Sequence, residues 1–243
     1  MSGFLLLVFV ASVVAGATAS VAGFGIGSLL TPLLASRLGT PLAIAVVAIP
    51  HAVATILRAW RLRRDVDWPI FWRFGLWSAA GGLSGAILFT RLGGAALTRL
   101  LGGLLILTAL STLTGWSDRF TLPRWATWTL GLLSGFFGGI VGNQGGLRAG
   151  ALLGLGLTST AFVATTTLTG VIVDVVRTPL YVAREGGAIV SAWPFVATAT
   201  VGVIAGTLMG ERAILGLSPE RFRRVVAVLV GLLGIWLLFE KQA

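Results

Sequence analysis

Arg148 stands in a stretch that otherwise holds no charge, within Gly142-Asn143-Gln144-Gly145-Gly146-Leu147-Arg148-Ala149-Gly150. A guanidinium in apolar surroundings is costly unless it meets an anion, a carboxylate or water. The glycines permit the backbone turns that end one half-helix and begin another. The start of the second half-helix then offers unpaired N–H groups and a positive dipole end, a combination that binds anions. Asn143 and Gln144 add side-chain donors. Two other readings stay open: the glycines serve only close helix packing, and Arg148 forms an internal ion pair with Asp174.

A second set of polar residues lies on a helical spacing. His51, Thr55 and Arg58 occupy positions i, i+4 and i+7, one face of a helix. Gly170, Asp174 and Arg177 repeat that spacing, and Thr166 and Thr167 extend the second stripe by a turn. Both stripes are candidates to line one site. Here too there are structural alternatives: Asp174 paired with Arg177 at i, i+3, Arg58 marking a cytoplasmic interface, and His51 packed against a neighbouring backbone group rather than carrying protons. Pro50 and Pro179 are expected near helix ends, where they permit local unwinding.

The elements that must hold these residues follow from composition. The chain has 243 residues, 56% hydrophobic and only 11% charged. Soluble domains carry about 25% charged residues, so lipid is the solvent for much of this one. The formal net charge is +10, but the arginines sit in short loops between apolar runs. That distribution suits membrane faces, and nucleic acid is not an expected partner. Cysteine is absent, which excludes thiolate chemistry. There is no phosphate loop for an ATP-driven pump, no supported catalytic pair and no metal-ligand cluster in the sequence, so neither a cofactor nor enzymatic activity is expected.

The sequence repeats itself. Displaced by about 119 positions, Val21–Gly27 falls on Ile140–Gly146 and Arg58 on Arg177; further on, with a small insertion, Gly81–Gly85 falls on Gly202–Gly206. The first repeat is assigned to residues 1–116 and the second to 123–243, joined by 117–122. Each half reads as a glycine-broken apolar run followed by three long apolar runs: Phe4–Leu38, Pro41–Trp60, Trp68–Thr90 and Ala95–Leu113, then Trp125–Leu157, Thr158–Tyr181, Ala188–Met209 and Phe222–Phe239. About 20 apolar residues suffice to cross a bilayer. The run from Phe4 to Ala22 lacks a basic leader and has a counterpart in the second half, so it is kept in the fold.

Charge arbitrates the topology. If each broken run is a re-entrant hairpin, each half crosses three times and the halves are inverted. Setting Arg148 and Arg177 aside as intramembrane, eleven basic residues then share one side, among them Arg58, Arg61, Arg212 and Arg221. Five lie opposite: Arg37, Arg91, Arg99, Arg184 and Lys241. Four crossings per half would leave almost no bias, so the positive-inside rule prefers inversion. The expected fold is an all-α integral membrane protein of two inverted repeats, each with a re-entrant or discontinuous glycine-broken element and three transmembrane helices.

With both halves laid out, the pattern resembles the TauE/SafE family of sulfite and organosulfonate exporters. The resemblance rests on Ala22-Gly23-Phe24-Gly25-Ile26-Gly27-Ser28 with Pro32 after it, on Arg63-Arg64-Asp65-Val66-Asp67-Trp68, and on Gly135-Phe136-Phe137-Gly138-Gly139 leading into Gly142–Gly146. It covers nearly the whole chain. Ser28 stands where the family often has glycine, Asn143-Gln144 replace a more apolar pair, and Ala151 stands in place of the proline. The resemblance implies a multi-pass protein of the inner (cytoplasmic) membrane that transports a small anion.

The expected site joins Gly23, Gly25, Gly27 and Ser28 with His51, Thr55 and Arg58 from the first half. From the second come Gly142, Asn143, Gln144, Gly145, Gly146, Arg148, Thr166, Thr167, Gly170, Asp174 and Arg177. Protons are a candidate coupling ion, with Asp174 or His51 as carrier, and exposed helix faces leave room for a homodimer. An anion channel and a non-transporting scaffold are the alternatives to a carrier.

Overall fold

The computed structural model describes residues 2–115, 126–143, 145–153, 155–213 and 219–239. Among them every regular element is helical. The first half contains α1 (Ser2–Ala22), α2 (Ile26–Leu38), α3 (Thr40–Arg61), the short α4 (Trp68–Ile70) running through a π-helical turn (Phe71–Gly75) into α5 (Leu76–Arg91), and α6 (Gly94–Thr114). The second contains α7 (Ala126–Val141), α8 (Gly145–Leu153), α9 (Ser159–Ser191), α10 (Trp193–Ala213) and α11 (Pro219–Phe239). Five helices among the described residues are long and apolar enough to cross a membrane: α1, α3, α6, α9 and the Trp193–Gly210 stretch of α10.

Both broken runs break where glycine was expected to break them. Gly23 turns at φ 73° and Gly142 at φ 71°, a left-handed conformation that costs other residues about 1–2 kcal/mol. Gly25 follows at φ 136° and brings the chain back against α1, where its α-carbon faces the Thr18 side chain. α2 packs beside α1, and α8 beside α7.

Packing pairs the first arm of each half with an element of the other. α1 lies along α10, and α7 lies along α5. Two further pairs, α3 with α9 and α6 with α11, meet face to face. Glycines set the closeness of the first two contacts. A Cβ on Gly135 would strike the Ser78 carbonyl, and one on Gly16 would lie 2.5 Å from the Val203 carbonyl. Gly81 abuts the Leu132 carbonyl and Gly206 the Val13 carbonyl, while Gly85 abuts Phe136 and Gly210 abuts Ala17. With no hydrophobic drive between helices in lipid, such backbone approach supplies van der Waals contact instead. For these glycines the packing reading holds.

These contacts correct the alignment of the later helices. Gly81 makes the contact that Gly206 makes, and Gly85 that of Gly210, one helical turn further along than the sequence match placed them. The cause is the length of α9. It was expected to end near Tyr181, yet it continues for 33 residues to Ser191, roughly 50 Å at 1.5 Å per residue. Pro179 therefore lies inside α9, and Pro50 inside α3, rather than near helix ends. Membrane helices tolerate proline because neighbouring helices accommodate the freed carbonyl.

α11 begins at Pro219, ahead of the apolar run that the sequence starts at Phe222. Trp60, Trp68, Trp72, Trp77, Trp128 and Trp193 are all exposed on the outer surface, as amphipathic rings at an interface would be.

Candidate functional site

The two glycine breaks meet each other. Gly27, in the first turn of α2, packs against the Gly142 carbonyl and Asn143, and Gly145 packs against Phe24. Ser28 Oγ donates to Asn143 Oδ1 at 2.9 Å, tying the two halves together. Gly25, at the start of α2, makes no side-chain cap, so the first N–H groups of that buried helix end are not claimed by a capping residue. Gly146 is set against the Thr108 side chain on α6.

The two polar stripes also face each other, on α3 and α9. Asp174 is their centre. Its Oδ2 lies 2.7 Å from His51 Nδ1 and accepts the Thr55 hydroxyl at 2.9 Å. Its Oδ1 accepts from Arg177 Nε at 3.0 Å and lies 2.7 Å from Arg177 Nη2. The i, i+3 pair of Asp174 with Arg177 is therefore formed. His51 is buried with a carboxylate as its partner, not the backbone group anticipated.

Arg177 has a second duty. Its Nη1 donates to the Gly138 carbonyl at 2.7 Å, and the Tyr181 hydroxyl donates to the Gly139 carbonyl at 2.6 Å. Both carbonyls belong to the last turn of α7, and that of Gly138 also accepts from the Gly142 N–H at 3.0 Å. Arg177 and Tyr181 thus cap α7 immediately before its break. One turn further along α9, Arg184 donates to the carbonyls of Phe89 and Leu92 and closes the end of α5 in the same way. Tyr181 and Arg184 were missed as positioning residues. Their spacing from Arg177, at i+4 and i+7, was the available signal.

Arg58 and Arg148 are different. Arg58 is 5% exposed and Arg148 2% exposed, and in both the Nε and Nη1 atoms have no hydrogen-bond partner among the described residues. Arg58 is buried in the last turn of α3. Arg148 does not take Asp174 as an ion-pair partner, because Arg177 holds that carboxylate. Asp174 is nonetheless the opposing charge that acts on both arginines, and Arg58 and Arg177 press their like charge on Arg148. Three guanidinium groups surround one carboxylate here, leaving positive charge in excess.

Other members of the expected set lie close by. Arg148 Nη1 would be 3.2 Å from a Cβ on Gly170, a position that has to stay bare for the guanidinium to lie there. Thr166 packs against Gly23 at the first break. The hydroxyls of Thr31, Thr166 and Thr167, with Asn143 Nδ2, are buried and have no partner in the protein. Gln144 lies outside the described residues. Beside the cluster an open, largely apolar groove runs between α3 and α9, lined by Ala52, Ile56, Val171, Val175, Thr178, Pro179, Val182 and Ala183, with Asp174 on its wall.

What the geometry offers is a buried, net-positive centre with amide and hydroxyl donors around it, in a bundle whose outer surface is apolar. No match was found among curated proteins or solved structures. The family model described as sulfite exporter TauE/SafE matches residues 8–237, taking in both glycine breaks and both polar stripes. The chain belongs to the sulfite exporter TauE/SafE family.

Proposed function

We propose that this multi-pass membrane transporter carries a small oxyanion, sulfite or an organosulfonate, through the centre where its two glycine breaks meet. The observation that carries the reading is the pair Arg58 and Arg148, both buried and both with Nε and Nη1 unsatisfied among the described residues. Buried charge of one sign at this density is expensive unless an opposite charge visits it. The anion's oxygens are held by charge-assisted bonds from these two arginines. Asn143 Nδ2 and the hydroxyls of Thr166 and Thr167 donate to the remaining oxygens. The helix starts at Ile26 and Gly145 add their positive dipole ends.

Transport proceeds by alternating access between two inverted repeats in the inner membrane. Support for the repeats comes from the matching turns at Gly23 and Gly142 and from the exchanged packing of α1 with α10 and α7 with α5. Support for inversion is the gathering of basic residues on one side, which survives the removal of buried Arg58 from the tally. His51, hydrogen-bonded to Asp174, is the group placed to couple proton movement to the anion.

The test is sulfite uptake into proteoliposomes containing the purified protein, with Arg148→Ala beside it. Saturable flux that is lost in the variant is the expected result. Unchanged flux in Arg148→Ala would remove the central claim, and unsaturable conductance in planar bilayers would assign a channel instead.

A further inference from the structure

Thr55 and Asp174 are 119 residues apart and in hydrogen-bond contact, and 119 is also the displacement that carries Gly23 onto Gly142. Residues related by a two-fold operation can touch only beside its axis. Asp174 therefore lies at the axis, with its carboxylate presented to both halves. Each half brings one arginine to it: Arg177 stands three residues after Asp174, and Arg58 three residues after Thr55. In this structure the carboxylate belongs to Arg177. Arg58 is equally buried and feels the same carboxylate, but its Nε and Nη1 have no partner.

We propose that Asp174 is a shared counter-ion, passed from Arg177 to Arg58 when the halves exchange conformations. This rests on the two-fold, alternating-access reading given above. In an inverted-repeat carrier each half adopts, in the second state, the arrangement its mate has in the first. Arg58 then takes the carboxylate and Arg177 is the arginine released to the anion. One positive group is always free for substrate, and it alternates between the halves. A single carboxylate suffices because it stands where both arginines reach it. The second half differs in one respect: Arg177, Tyr181 and Arg184 tie α9 to α7 and α5, whereas positions 62 and 65, which correspond to Tyr181 and Arg184, hold Leu62 and Asp65. The unpartnered Arg58 thus belongs to the half that lacks this clamp.

The chain has no cysteine, so spin labels can be placed without background substitutions. Labels at Leu83→Cys on α5 and Val201→Cys on α10, both exposed, report the distance between the α5–α7 pair and the α1–α10 pair. In lipid nanodiscs without substrate the wild type is expected to show two distances. Arg58→Gln should shift their ratio at least threefold one way, and Arg177→Gln at least threefold the other way. Shifts in the same direction, or no shift in either variant, overturn the exchange. If Arg177→Gln does not fold, the swap Thr55→Asp with Asp174→Thr moves the carboxylate to the mate position. It should invert the wild-type ratio, and an unchanged ratio overturns the proposal.

Sulfite flux in the same preparations keeps the two readings apart. Wild-type vesicles that carry no oxyanion sink the functional proposal, while the label distances decide the exchange on their own.

Discussion

Thr55 donates its hydroxyl to Asp174 Oδ2 at 2.9 Å, although 119 residues separate them. The contact joins the mid-faces of α3 and α9 and fixes the register between the two halves at their centre. Its consequence is an inequality between two corresponding arginines. Arg177 spends its guanidinium on Asp174 and on the Gly138 carbonyl, while Arg58 keeps two nitrogens free of protein partners. Substitutions at the three buried arginines should therefore separate cleanly.

Arg148→Ala removes a charge that the protein itself does not neutralise. Losing one partner of a buried charge contact costs about 2–5 kcal/mol in affinity, so sulfite binding should weaken by roughly 30- to 4000-fold. Thermal stability without substrate should stay level or rise, because an unpaired buried cation is itself unfavourable. Calorimetric titration with sulfite and a melting curve in detergent check both halves of this expectation.

Arg177→Ala should behave in the opposite way. It leaves Asp174 without its arginine ion-pair partner and removes a charged donor from the Gly138 carbonyl. Breaking a buried pair in this manner costs about 3–5 kcal/mol. A large fall in melting temperature is expected, with the loss of flux following from it. Arg177→Lys restores the charge but not the two-sided fork, so it should recover stability only in part.

Tyr181→Phe deletes the hydroxyl that reaches the Gly139 carbonyl and keeps the ring against Phe89, 4.5 Å away between centroids. A lost hydrogen bond that leaves a buried acceptor behind costs about 1–3 kcal/mol. The expected result is a modest drop in melting temperature with sulfite affinity near the wild-type value. A large drop in affinity at unchanged stability would place Tyr181 in the binding centre rather than behind it.

Two kinds of glycine should be distinguishable by alanine. Gly135→Ala drives a methyl group into the Ser78 carbonyl and forces α7 away from α5. Little monodisperse protein is expected. Gly23→Ala meets Thr166 at 3.2 Å and a left-handed turn, a strain of about 1–2 kcal/mol that alters the break without parting the arms. It should fold and transport poorly. Gly103→Ala, with nothing within 4 Å, is the control and should match the wild type in both yield and flux.

Much of this was legible in the chain. Low charge and long apolar runs demanded lipid, because a water-facing surface cannot be built from them. The positions of both breaks followed from glycine clusters, since a left-handed turn excludes most other residues. The polar stripes followed from helical spacing. Less was legible where elements are long or packed side by side. The run after Arg177 contains Pro179, Arg184, Glu185, Gly186 and Gly187, which read as the end of a helix. Packing of α9 on α5 and α7 overrides those local signals, and the capping contacts of Tyr181 and Arg184 hold the extension in place.

By itself, then, the sequence determined the solvent, the sites of chain reversal and which residue types face the interior, because each depends on neighbours a few positions away. Only the tertiary structure decided which arginine pairs with Asp174, which two keep guanidinium nitrogens without a partner among the described residues, and which glycines serve packing rather than turning. Those outcomes depend on contacts between helices that are distant in the chain, such as Gly138 with Arg177 and Ser78 with Gly135. A guanidinium on α9 and one on α3 carry identical chemistry, and the distance to a carboxylate and to the end of α7 is what makes one a brace and leaves the other with unpartnered nitrogens.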